Sequence, residues 1–205
     1  MKILLPFLSF LLLAFCLVQA DNQQPVLDMS HKELQMGTDY FILPYNVTYG
    51  GGLSLAATRG KTCPLEVVLH VERYDDEIPV TFLPAVTTKD GVVLESTDLN
   101  IKFKTKTSCT KSTIMKVDNY DRSRKRYYLT VGGVEGNPGY KTIKNWFKIE
   151  KYNDNYKLMY CPTICEFCKV ICKNVGAYDD VYDDTIPYSV FALRAEPQMV
   201  MFRKA

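Results

Sequence analysis

The chain has 205 residues, with 25 basic against 23 acidic side chains and a formal net charge of +2. That balance argues against a nucleic-acid surface or a strongly acidic substrate, and the length suffices for one sizeable core. Seven cysteines against two histidines make sulfur the chemistry to be explained.

Residues 1–20 read as a secretory signal peptide. Lys2 is the only charge, Ile3 to Val18 is an apolar run broken only by Pro6, Ser9 and Cys16, and small Ala20 precedes the polar Asp21. The run is short for a membrane span and lacks a basic flank on its far side, so cleavage after Ala20 is expected rather than an anchor. Residues 21–205 then form a single domain, secreted to the apoplast or sent to the vacuole, with no membrane association. Cys16 leaves with the signal, and the six remaining cysteines favour a closed disulfide framework with no spare thiol. A soluble monomer is expected.

After residue 25 the pattern is short strands between turn residues. Asp39 to Tyr45, Gly52 to Thr58, Leu65 to Val71, Val80 to Leu83, Val92 to Glu95 and Leu99 to Lys104 make the first six. Thr113 to Val117, Arg126 to Val131, Asn145 to Lys151, Tyr156 to Cys161, Pro187 to Leu193 and Met199 to Arg203 complete the series. Gly50 to Gly52, Asp90-Gly91, Gly132-Gly133 and Gly136 to Gly139 read as breakers. No stretch keeps a helical period for three turns. Twelve evenly spaced short strands imply an all-β barrel or sandwich, without fixing its topology.

Catalytic motifs are absent from the sequence. Neither His31 nor His70 lies in a nucleophile or metal motif, and no phosphate-cradling glycine loop precedes a helix. An enzyme is not expected, nor is a cofactor or a metal. Asp179-Asp180 and Asp183-Asp184 lack EF-hand spacing and read as a solvated loop rather than a calcium site. The basic run Arg122 to Arg126 reads as a charged hairpin tip, with contact to an anionic partner or tryptic cleavage as the alternatives. Asn46-Val47-Thr48 is a glycosylation sequon beside a turn, so Asn46 is expected to carry a glycan.

Four cysteines crowd the segment CPTICEFCKVIC, from Cys161 to Cys172. Zinc bound by four thiolates is usually held by two pairs on separate knuckles, and secretory oxidation favours disulfides. Cys63 and Cys109 would pair across the first half of the chain. Within the cluster, Cys165–Cys168 nested inside Cys161–Cys172 suits an antiparallel hairpin, although spacing permits other connectivities.

Three passages carry a resemblance. PVLDMSHKELQMGTDYFILP (Pro25 to Pro44) resembles the N-terminal signature of the soybean-type Kunitz protease inhibitors of plants, with Val26, Asp28, Leu34, Tyr40 and Ile42 matching. ESTDLNIKF (Glu95 to Phe103) and the stretch from Gly132 to Tyr152, followed by YKLMYCPTICEFCKVICKNVG, look like the miraculin-like branch of that family. The resemblance implies a disulfide-stapled β-trefoil of twelve strands, six in a barrel and six in a hairpin cap, with pseudo-threefold symmetry. It also implies the pairings Cys63–Cys109, Cys161–Cys172 and Cys165–Cys168.

The same resemblance implies inhibition of secreted proteases, serine endopeptidases foremost, by an exposed loop held in a substrate-like extended form. By register the loop is Val86, Thr87, Thr88, Lys89, Asp90 and Gly91, following Pro84-Ala85. Lys89 falls where trypsin inhibitors of the family carry their specificity residue. Three residues depart from that pattern. Met36 stands where such inhibitors commonly carry a bracing Asn, Asp90 follows the specificity position, and Gly91 loosens the loop. Ser30-His31 also alter the signature turn. The alternative is a non-inhibitory β-trefoil serving defence, storage or ligand binding.

Overall fold

The computed structural model describes residues 23–45, 51–70, 77–179 and 188–205. Residues 1–20, Asn46, and Asp180 with Asp183-Asp184 lie outside the described residues. The described residues carry twelve strands. They are β1 (Asp39–Pro44), β2 (Leu53–Ala56), β3 (Glu66–His70), β4 (Val80–Pro84), β5 (Leu99–Phe103) and β6 (Ile114–Asp121). β7 (Arg126–Gly133), β8 (Lys148–Tyr152), β9 (Asn155–Tyr160), β10 (Lys173–Tyr178), β11 (Tyr188–Arg194) and β12 (Met199–Lys204) follow, with a 3-10 turn at Tyr140–Asn145 before β8.

The pairings close six strands into a ring. β1 pairs with β4 and β12, β4 with β5, and β9 with β8 and β12, all antiparallel. The ring shuts where Leu99 and Phe147 exchange two backbone hydrogen bonds of 2.9 Å, joining the start of β5 to the residue before β8. The other six strands make three hairpins, β2–β3, β6–β7 and β10–β11. Each hairpin touches both others, through β3–β11, β3–β7 and β7–β11. Among the described residues closure leaves no long unpaired barrel edge to recruit another chain.

Period-2 alternation sends one face of each barrel strand inward. β1 buries Tyr40 and Ile42, β9 buries Tyr156, Leu158 and Tyr160, and β12 buries Val200 and Phe202. Their rings interlock: Phe202 meets Phe82 edge-on at 5.4 Å and Tyr156 at 5.5 Å, geometry favoured by the aromatic quadrupole. Burying an aromatic or branched aliphatic side chain of this kind contributes about 1.5–3 kcal/mol.

Three expectations need correcting. Val92 to Glu95 is not a strand. Its backbone divides between two partners, Val26 N–H donating to Val93 O at 2.9 Å and Val93 N–H to Leu34 O at 2.8 Å, so no ladder runs on. Lys173–Tyr178 is a strand although KNVGAY is poor in β-formers, because β9 and β11 both pair with it. The two errors cancel in the count. Gly132-Gly133 ends β7 instead of breaking the chain. A Cβ on Gly133 would lie 2.9 Å from Ile114 and 3.0 Å from the Asn145 amide, so glycine lets these elements close up.

Candidate functional site

The loop named from the sequence leaves β4 at Pro84 and returns toward β5. Val86 is 82% exposed, Thr87, Lys89 and Asp90 are exposed, and Thr88 and Gly91 are half-buried. The loop departs from a wholly extended form. Gly91 N–H donates to Thr88 O at 3.2 Å, closing a β-turn with Lys89 and Asp90 at its corners. Thr88 Oγ1 donates to Val92 O at 3.1 Å, tying the start of that turn to the chain beyond it. Gly91 has φ +69°, a conformation that costs an L-residue energy and glycine little.

Both ends of the loop are anchored. At the near end Ala85 N–H donates to Asp98 O at 2.8 Å, and at the far end Met36 N–H donates to Gly91 O at 2.7 Å. Met36 therefore braces the loop through its backbone, a job its thioether cannot do as an amide side chain would. The turn before it survives Ser30-His31 because the Asp28 carboxylate accepts from Ser30 N–H at 2.8 Å and Lys32 N–H at 3.0 Å. His31 takes φ +57° there and is exposed.

Asp98 carries no sequence signal for the role it plays here. Buried, it accepts Thr163 N–H at 2.9 Å and Thr163 Oγ1 at 2.6 Å on the same carboxylate oxygen. Thr163 lies inside the cysteine-rich segment, so the stapled loop and the root of the exposed loop meet at one residue. Disulfides join Cys63 to Cys109, Cys161 to Cys172 and Cys165 to Cys168, and β9–β10 pairing through Lys173 and Tyr160 closes the base of the stapled segment.

The basic run Arg122 to Arg126 sits at the tip of the β6–β7 hairpin. Asp121 organises it. Its carboxylate accepts from Ser123 Oγ at 2.6 Å, Ser123 N–H at 3.0 Å, Arg124 N–H at 3.1 Å and Arg59 Nη1 at 2.7 Å. These bonds, the Ser123 hydroxyl foremost, hold its pKa down to about 2. The side chain of Arg59, which no sequence pattern marks, is buried. It pairs with Glu66 and Asp121, and its guanidinium lies 3.8 Å from the centre of the Tyr128 ring. Among the described residues no cluster of three or more His, Cys, Asp or Glu is disposed to hold a metal, and no helix is long and apolar enough to cross a membrane.

The legume Kunitz family, described as trypsin and protease inhibitor, matches residues 26–204. Miraculin of Synsepalum dulcificum is 45% identical over 163 residues, 76% of this chain and 74% of that protein. Kunitz trypsin inhibitor 5 of Arabidopsis thaliana is 40% identical over 182 residues, covering 89% and 86%. The structure of a Kunitz-type cysteine protease inhibitor from potato superposes with a TM-score of 0.74 at 34% identity, covering 89% of this chain and 98% of that one. The chain belongs to the legume-type Kunitz family, described as trypsin and protease inhibitor, a family of inhibitors and not of enzymes.

Proposed function

We propose that the protein inhibits a secreted protease, serine endopeptidases being favoured, by presenting Val86 to Gly91 to the enzyme's cleft. The observation that carries this reading is an exposed loop anchored at both ends to a closed barrel, through Asp98 O and Met36 N–H. A loop ordered before docking loses little entropy on binding, so contact energy appears as affinity. The same anchors hold the two sides of a scissile bond together and favour religation over release.

The fold is read as a β-trefoil. β1–β4, β5–β8 and β9–β12 are three four-strand units, each giving one hairpin to the cap, in a pseudo-threefold arrangement. Residues 21–205 form the mature domain, a secreted or vacuolar monomer glycosylated at Asn46 and acting in plant defence, once residues 1–20 are removed.

Lys89 in a turn, followed by Asp90, disfavours trypsin as the main target. An acid beside the specificity residue adds charge to an acidic cleft. A panel of trypsin, chymotrypsin, subtilisin, papain and pepsin at micromolar inhibitor tests the reading. Inhibition of at least one class, with slow cleavage inside Val86 to Gly91, is expected. A blank across all classes would overturn it in favour of a non-inhibitory defence, storage or ligand-binding trefoil.

A further inference from the structure

Between the 3-10 turn and the stapled segment lies a cavity of about 470 Å³. Its floor is core. Val117 and Leu193 are buried, and the rings of Tyr160 and Tyr127 complete the base. One wall is the 3-10 turn, through Ile143 and Lys144, and the other is the disulfide loop, through Phe167 and Lys169. The volume falls in the range of small-molecule sites, about 300–1,000 Å³, and the lining is mostly apolar with a few polar groups, as such sites require.

Phe167 is 82% exposed, and the exposed Tyr140 stands beside it at 6.5 Å between ring centres. A scattered apolar side chain on a surface means little, but apolar side chains gathered around a concavity mark a binding site. Phe167 sits at the centre of a closed loop. The Cys165–Cys168 bridge and the Cys168 N–H bond to Cys165 O, 3.3 Å, close its four-residue loop.

Charge at the rim has one sign. Among the described residues Lys144 and Lys169 line the cavity and no carboxylate does. Lys144 Nζ is positioned by a 2.8 Å bond to the Asn119 amide oxygen, a neutral partner that does not itself offset the charge. Burial pushes the Tyr160 phenol above its ordinary pKa, which keeps it a neutral hydroxyl able to donate.

We propose that this cavity binds a small aromatic carboxylate, its ring against Ile143 and Phe167 and its charge toward Lys144 and Lys169. The site is separate from the Val86 to Gly91 loop, and its occupancy does not depend on protease inhibition.

The test is isothermal titration of the mature, oxidised protein with 2-naphthoate and with the isosteric neutral 2-naphthamide. Saturable one-to-one binding of 2-naphthoate is expected, at least tenfold tighter than 2-naphthamide. Phe167→Ser, at a position too exposed to unsettle the core, and Ile143→Glu should each weaken 2-naphthoate at least tenfold. Lys144→Gln with Lys169→Gln should erase the preference for the acid. Lys89→Ala should bind 2-naphthoate like the wild type. No saturable binding overturns the proposal, as does binding that the Phe167 and Lys variants leave unchanged.

Discussion

Asp98 and Thr163, 65 residues apart, are joined twice, the Thr163 N–H and hydroxyl both donating to Asp98 Oδ2. Asp98 also accepts Ala85 N–H through its carbonyl, so the disulfide-bound segment and the root of the exposed loop share one buried acid. The staple is therefore more than a distant clamp, since its order reaches the loop through this residue. Asp98→Ala removes the acceptor and leaves the Thr163 groups without it. Hydrogen bonds to a charged group are worth about 1.5–3 kcal/mol, so a loss of about 2 kcal/mol in urea unfolding is expected. Cleavage of the loop by a non-target protease should quicken in the same variant. Unchanged cleavage would sever the link between staple and loop.

Gly91 offers a sharper test of the loop alone. A Cβ there has ample room, its nearest neighbour being Gln35 Oε1 at 3.7 Å, so the cost of Gly91→Ala is the positive φ itself. That conformation costs an L-residue roughly 1–2 kcal/mol. For a domain of this size about 1 kcal/mol lowers Tm by about 2–4 °C. If instead Tm holds and inhibition falls, the turn has reshaped without strain.

The sequence made the barrel readable because barrel strands alternate, and Tyr40, Ile42, Phe202 and Leu158 point inward on schedule. Paired cysteines and a long family signature made the disulfides readable too. What escaped lay in long-range pairing. Nothing in KNVGAY declares a strand, since β10 exists only because β9 and β11 flank it. Asp98 and Thr163 look like ordinary turn residues until the barrel brings them together. The turn at Lys89 and Asp90 follows from Gly91 closing onto Thr88, a backbone event that a register argument does not contain.

Arg59 illustrates the same limit in the cap. It is a surface-type residue in the sequence, yet its side chain is 5% exposed, and it pairs with Glu66, itself 3% exposed. Thr58 Oγ1 donates to the same carboxylate. Arg59→Met should cost about 3–5 kcal/mol in urea unfolding, because removing one partner strands a buried charge. Adding Glu66→Gln should recover a large part of that loss, since the stranded charge is then gone. A double variant as unstable as Arg59→Met would mean that the guanidinium matters for packing over Tyr128 and not for charge.

Asp121 gives the pH dependence of this cap. Its carboxyl, held down to about 2 from an ordinary 3.8, binds its proton more weakly folded than unfolded. A depressed folded pKa contributes stability that is fully present above the unfolded value and lost as pH falls through the folded one. The loss attributable to Asp121 therefore runs from about pH 3.8 down to about 2. Other carboxylates protonate in the same interval, so the informative quantity is the difference between wild type and Asp121→Asn. Above pH 5 the wild type should have the higher urea midpoint, because the neutral amide meets Arg59 and the Ser123 and Arg124 N–H groups less strongly. Toward pH 2 the two midpoints should converge. Parallel curves across the interval would show that the Ser123 hydroxyl and Arg59 do not hold this proton off, and that the ordered basic tip rests on other contacts.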